Sequence, residues 1–142
     1  MHTEKEDIAQ KFLGRWKLKS VIVRHDDTII YPFGRHVKAI LFYDEQYMSA
    51  QIMMPHDLPL EHMPEKKLKL KDLAWALKNL GYMGYFGPYE IDEEKHVIKH
   101  HVEGAIVQSL VGGTEVRKYR FEHGEMILSA GPMELRWVRA KA

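Results

Sequence analysis

Two consecutive histidines, His100-His101, head the residues of this chain with chemical potential. They lie in a run, Val97 to Val102, that reads as a β-strand, where neighbouring side chains point to opposite faces. Only one of them therefore enters an interior: His100 shares a face with Ile98 and Val102, His101 with Val97 and Glu103. An interior histidine near neutral pH acts as a general acid or base, or binds a ligand oxygen. The plainer reading is one surface histidine and one hydrogen-bonded core histidine. Arg117 is the next candidate. From Glu115 to Glu122, Arg117, Tyr119 and Phe121 share one face and Val116, Lys118 and Arg120 the other, and the aromatics mark the first face as interior. A buried guanidinium is costly unless paired, so Arg117 requires a carboxylate or carbonyl partner, with Glu103 or Glu90 as candidates, or an anionic ligand group. A structural ion pair, or an arginine at the wet mouth of a barrel, is the bland alternative. Tyr119 joins His100 and His101 as a catalytic candidate.

Other chemistries have less to stand on. His101 and Glu103 supply two metal ligands on one face, and a third would come from His56 or His62, whereas a catalytic zinc takes three protein ligands. No metal, haem or other cofactor is expected. There is no Gly-x-Ser-x-Gly elbow or phosphate-binding glycine loop, and Gly112-Gly113 reads only as a loop. Cysteine is absent, which removes a thiol nucleophile and a disulfide framework. With 142 residues and a net charge of +1, the chain fits one domain and lacks the basic face of a nucleic-acid binder. The polar start, Met1 to Asp7, has no apolar signal core, and no apolar run approaches the roughly 20 residues of a membrane span. The expectation is a cytoplasmic protein.

The positioning elements are mostly strands. Thr3 and Glu6 fit a capping box, and Ile8, Ala9, Phe12 and Leu13 give one apolar face, so a short N-terminal helix is expected to cover one end of a barrel. Arg15 to Arg24 alternates, with Trp16, Leu18, Ser20 and Ile22 on one face. Thr28 to Phe33 reads as a second strand. Val37 to Tyr43 is apolar on both faces and so is expected to be buried twice, packed under another element, or part of a homodimer face. Tyr47 to Met54 carries Tyr47, Ser49, Gln51 and Met53 on one side. After a loop with Pro55, Pro59 and Pro64, the leucines at 70, 73, 77 and 80 predict a helix over about 64–84. Tyr82, Tyr85, Phe86 and Tyr89, with Trp75, either line a pocket or pack helix against barrel, and Met53, Met54 and Met83 fill core or rim an opening. Tyr89 to Asp92 pairs with Val97 to Val102, and His123-Gly124 joins Glu115–Glu122 to Glu125–Ala130 in a tight hairpin. Met133 to Arg139 ends a set of eight or nine sequential strands, which favours a meander closed into an up-and-down antiparallel barrel.

Gly14-Arg15-Trp16 at the first strand and Leu135 to Arg139 at the last resemble the closure of lipocalin (calycin) barrels. In that closure a glycine passes under the floor, an indole plugs it and an arginine lies over the indole. Gly14, Trp16, Trp137 and Arg139 are the closure residues. Further blocks resemble the small bacterial and fungal lipocalin-like domain family: Tyr31-Pro32-Phe33-Gly34, Tyr47 to Met53, Gly81-Tyr82, Tyr85 to Asp92 and His100 to Gly104. The likeness runs from about residue 12 to 139. Where the family carries an Asn-Trp pair, this chain has Val107 to Gly113, so ligand preference need not follow. With the match as guide, Ser20, Ser49 and Gln51 are expected to point inward with Trp16 and Leu18. The resemblance implies a container for a small, largely apolar molecule, oriented by Ser20, Ser49, Gln51, Tyr89, Glu103, Arg117 and Tyr119. A cofactor-independent isomerase or cyclase is the alternative, and a filled barrel acting through protein partners is the third reading.

Overall fold

The computed structural model describes residues 4–54 and 80–140. Helix α1 (Glu4–Phe12) leads into strands β1 (Gly14–His25), β2 (Thr28–Ile30), β3 (Lys38–Tyr43), β4 (Tyr47–Met53) and β5 (Tyr82–Asp92). Then come β6 (Val97–His101), β7 (Gly104–Ala105), β8 (Thr114–Glu122), β9 (Glu125–Ala130) and β10 (Met133–Arg139). The order β10-β9-β8-β6-β5-β4-β3-β1 closes through an antiparallel β1–β10 pairing, so the barrel has no open edge in that ring. Strands β2 and β7 are short additions, paired with β1 and β5. The second strand is thus shorter than the expected 28–33, because Pro32 lacks an N–H for a ladder. The β8–β9 hairpin turns through His123 (φ 54°) and Gly124 (φ 79°), both left-handed, as a two-residue turn of this kind requires.

Helix α1 supplies the floor. Ile8 and Phe12, four residues apart on one helical face, both pack on the core. Phe12 is 0% exposed and meets Tyr43, Tyr119 and Phe121 edge-on, with ring centroids 5.5, 5.1 and 5.2 Å away. The Trp16 indole N–H donates to the Phe12 carbonyl at 2.9 Å, which fixes where the helix stops. Arg139 lies 3.9 Å over the Trp16 ring and donates to the carbonyls of Leu13 and, at 2.8 Å, Lys11. Those carbonyls end a helix and have no partner within it. Gly14 takes φ +112°, and a Cβ there would sit 3.1 Å from the Arg139 guanidinium.

Three expectations are corrected. Strand β1 carries a bulge between Leu18 and Ser20, where pairing steps from Leu18↔Trp137 to Ser20↔Arg136. An inserted residue reverses the facing of all that follows, so Val21 enters the core and Ser20 faces outward beside Arg136. Strand β4 points Met48, Ala50 and Ile52 inward, which leaves Ser49 and Gln51 on the outer surface. The helix expected over 64–84 ends before Tyr82: Gly81 takes φ 74°, and Tyr82 to Gly84 pair with Met53 to Gln51 as the start of β5. The rest of that helix, Trp75, and the Thr3–Glu6 cap lie outside what the structure describes.

The outer surface has two characters. Over β1, β8, β9 and β10, Lys19, Arg24, Arg120 and Arg136 interleave with Glu122, Glu125 and Glu134 in ion pairs of 2.7–3.2 Å. Over β3, β4 and β5 the outer face mixes exposed apolar side chains, Phe42, Met53 and Phe86, with the polar Ser49 and Gln51. Phe42 is 40% and Phe86 45% exposed, so β3 is not buried on both faces. Phe42, Ser49 and Phe86 are aligned across three strands, beside a shallow outer groove of about 570 Å³.

Candidate functional site

The interior polar residues come from β3, β5, β6 and β8, and the pairing register puts them on one face. Tyr89 is opposite His100, His100 opposite Glu115, and Ile98 opposite Arg117. Directly opposed residues project to the same side of a sheet. His100 thus enters the barrel, 2% exposed, and His101 points out, where it meets Glu90 at 2.8 Å and Thr114 at 3.0 Å.

His100 is held between two tyrosines. Its Nε2 lies 2.6 Å from the Tyr43 hydroxyl and its Nδ1 2.8 Å from the Tyr85 hydroxyl. Burial pushes the imidazole pKa down to about 3, assisted by the Arg117 and His101 charges, so the ring is neutral across the neutral range. Burial likewise raises Tyr85 to about 12 and Tyr43 well above the ordinary phenol value. A neutral imidazole has one N–H and one acceptor nitrogen. One tyrosine therefore donates to the ring and the other accepts from it.

Arg117 is inward and largely buried. Its Nη2 meets Glu115 at 3.2 Å and its Nη1 donates to the Val116 carbonyl at 3.1 Å. Its carboxylate partner is therefore the residue two before it on the same strand face. Of the carboxylates expected to serve, Glu103 is exposed and accepts from the Tyr47 hydroxyl at 3.1 Å, while Glu90 holds His101.

His100, Tyr85 and Arg117 line a common cavity of about 20 Å³ with Trp137 and the apolar side chains of β3, β4, β9 and β10. That volume admits about one water-sized group. Trp137 is 2% exposed, and its indole nitrogen has no hydrogen-bond partner among the described residues.

The remaining sequence candidates lie elsewhere. Tyr119 is buried in the floor against Phe12, Phe121 and His96, away from the cavity lining, and its hydroxyl is also unpartnered among the described residues. Tyr89 stands beside Tyr43 and donates to the Asp44 carbonyl at 2.6 Å. Gln51 accepts from the Tyr82 hydroxyl on the outer face. The aromatic group therefore splits, with Tyr85 and Tyr89 inside and Tyr82 and Phe86 outside. Met83 is core and Met53 is exposed. His56 and His62 lie outside the described residues. The residues missed from the sequence are Tyr43, Tyr85 as a partner of His100, and Glu115. Tyr43 carried a signal, since it shares strand parity with core Leu41.

A family model for the lipocalin-like domain matches residues 13–138. The chain belongs to that family. Among solved structures, a lipocalin-like protein from Bacteroides uniformis superposes with a TM-score of 0.51 at 13% identity, over 92% of this chain and 99% of that one. An uncharacterised protein from Bacteroides eggerthii is similar at 10% identity and a TM-score of 0.48, over 91% of this chain and 99% of that one. No curated protein matches. The family match and the Bacteroides uniformis structure establish a lipocalin-like barrel and leave its contents to the side chains inside it. Among the described residues of this lipocalin-like chain, no helix is long and apolar enough to cross a membrane.

Proposed function

We propose that the protein binds a small, largely apolar molecule in the interior of its barrel. The observation that carries this reading is the grouping of Tyr85, His100, Arg117 and Trp137, whose indole nitrogen has no hydrogen-bond partner among the described residues, around one cavity with otherwise apolar walls. A core selected only for packing gains little from a buried arginine or an unmet donor, each of which costs free energy. Ligand pockets have this composition: mostly apolar walls with a few placed polar groups. The described cavity accommodates the polar end of a ligand, so the apolar remainder must occupy space gained by displacing wall side chains.

The site chemistry supports holding a ligand more than proton abstraction. An imidazole with a pKa near 3 is a weak base at neutral pH, and both of its nitrogens are already engaged. His101 and Tyr119, the other catalytic candidates, are not at the cavity.

The test is a series of 1-butanol, 1-hexanol and 1-octanol, followed by the NMR signal of the Trp137 indole N–H, which is assigned with Trp137→Phe. Affinity is expected to rise roughly fourfold per added methylene, the equivalent of about 0.8 kcal/mol per buried CH₂. Ala50→Val puts new methyl groups into the cavity wall and is expected to abolish the shifts, at a stability cost of about 1–3 kcal/mol. Non-saturating shifts, or shifts that survive Ala50→Val, would overturn the reading.

A further inference from the structure

On the outside of the barrel the pairing register aligns Arg15 on β1, Phe42 on β3, Ser49 on β4, Phe86 on β5 and Gly104 on β7 in one row. Ser49 is the small side chain between two large ones, Phe42 and Phe86, both exposed. The Phe86 ring lies over Gly104, where a Cβ would come within 2.5 Å of it. Arg15, Phe42, Ser49 and Phe86 all line the outer groove of about 570 Å³, which has room for an aromatic side chain. Exposed aromatic rings grouped around a groove mark a surface that another surface covers.

The two edges of the groove carry opposite charges. Arg15 is exposed and makes no ion pair among the described residues. At the other edge Glu103 is also exposed, and its backbone N–H donates to the Phe86 carbonyl at 2.9 Å. Its carboxylate accepts from the Tyr47 hydroxyl and meets no cation among the described residues. Asp44, at the rim, is engaged by the N–H groups of Gln46 and Tyr47 at 2.7 and 2.6 Å. A knob beside a hole, with a cation at one edge and an anion at the other, is self-complementary about a two-fold axis. With that axis parallel to the strands and between β3 and β4, Phe42 of each copy sits over Ser49 of the partner subunit. Arg15 then lies over Phe86 of the partner subunit, beside the partner's Glu103, and gains a ring face and a carboxylate. Residues 55–79 depart at Met54 and return at Leu80, and Met54 bonds to Gly81 at the end of β4 opposite the groove. We infer that the groove is a self-association face: two copies pack face to face, Phe42 fills the partner subunit's groove, and Arg15 pairs with Glu103 of the partner subunit. The contact spans four strands, roughly 20 Å. An interface of this size is at the small end of the specific range, so the dimer is reversible, with a Kd on the order of 10–100 µM.

The experiment is sedimentation equilibrium of the full chain over about 1–500 µM, which brackets that Kd. The mass is expected to rise with concentration from that of one chain toward that of two. Phe42→Ala, Arg15→Glu and Glu103→Arg change exposed side chains and should each weaken association at least about tenfold. Arg15→Glu combined with Glu103→Arg exchanges the charges across the interface and should recover association to within about threefold of the wild type. A folding defect cannot produce that recovery. None of these residues lines the interior cavity, so the outcome is independent of ligand binding there. A monomer at every concentration would overturn the inference and leave the groove to residues 55–79 or to a different molecule. A dimer that persists in Phe42→Ala, or that the double charge exchange fails to recover, would overturn it as well, because that dimer uses another surface.

Discussion

Phe12→Ala is expected to destabilise the protein by about 3–5 kcal/mol, the usual cost of emptying a buried phenylalanine site. The side chain is fully buried and is the hub of a cluster of three edge-on ring contacts, each of which adds to its area burial. Its neighbours are anchored on two different strands, Tyr43 on β3 and Tyr119 and Phe121 on β8, and cannot all collapse into the hole. For a domain of this length the melting temperature should fall by roughly 10 °C. Phe42→Ala is the control. It removes the same ring from the outer face of β3, where the side chain is 40% exposed, and should cost about 1 kcal/mol or less. Urea unfolding of both variants measures the difference. A loss below about 1 kcal/mol for Phe12→Ala would mean that α1 does not form the floor.

His100 is expected to make the protein lose stability as the pH falls. The folded-state pKa, about 3, lies below the ordinary histidine value of 6.5. Between those two values the unfolded chain binds a proton that the folded chain refuses. Stability therefore rises with pH across this window, is fully present above about pH 7, and declines as the pH falls through 6.5 towards 3. From pH 7.5 to pH 5 the unfolded histidine becomes almost fully protonated, and the loss is about 2 kcal/mol. His100→Gln retains polar contact with the tyrosines and removes the titration. The difference in unfolding free energy between wild type and His100→Gln should therefore shrink by about 2 kcal/mol in acid. A difference independent of pH over that range would show that His100 takes up a proton in the folded state, and that the Tyr43–His100–Tyr85 chain is not closed to water.

The architecture was legible in the sequence for physical reasons specific to a closed barrel. The glycine and indole at one end of the chain and the arginine at the other meet across β1 and β10, and Arg139 covers Trp16 as expected. The inward face of β8 could be read because its aromatics all fall on one parity, and Arg117 follows them. Strand β4 offers no such contrast. Met48, Ala50 and Ile52 on one parity and Tyr47, Ser49, Gln51 and Met53 on the other are each plausible walls, and the choice falls to cross-strand packing against Leu41 and Tyr85. Ser20 was lost to a different cause, a bulge that leaves no mark in the alternation of Lys17 to Ile22. The ion pair of Arg117 with Glu115 and the clasp on His100 depend on register between strands, which the order of residues within one strand does not specify. Parity could place His100 and His101 on opposite faces; pairing with Tyr89 and Glu115 decides which is inside.

The most direct test of the central claim is a native mass spectrum of the protein purified from its own host, compared with its denatured mass. A retained small organic mass is predicted, one that is lost from Ala50→Val prepared in the same way. A native mass equal to the denatured mass, for protein that also gives no shift of the Trp137 indole N–H with the alcohols, would contradict a ligand-binding interior.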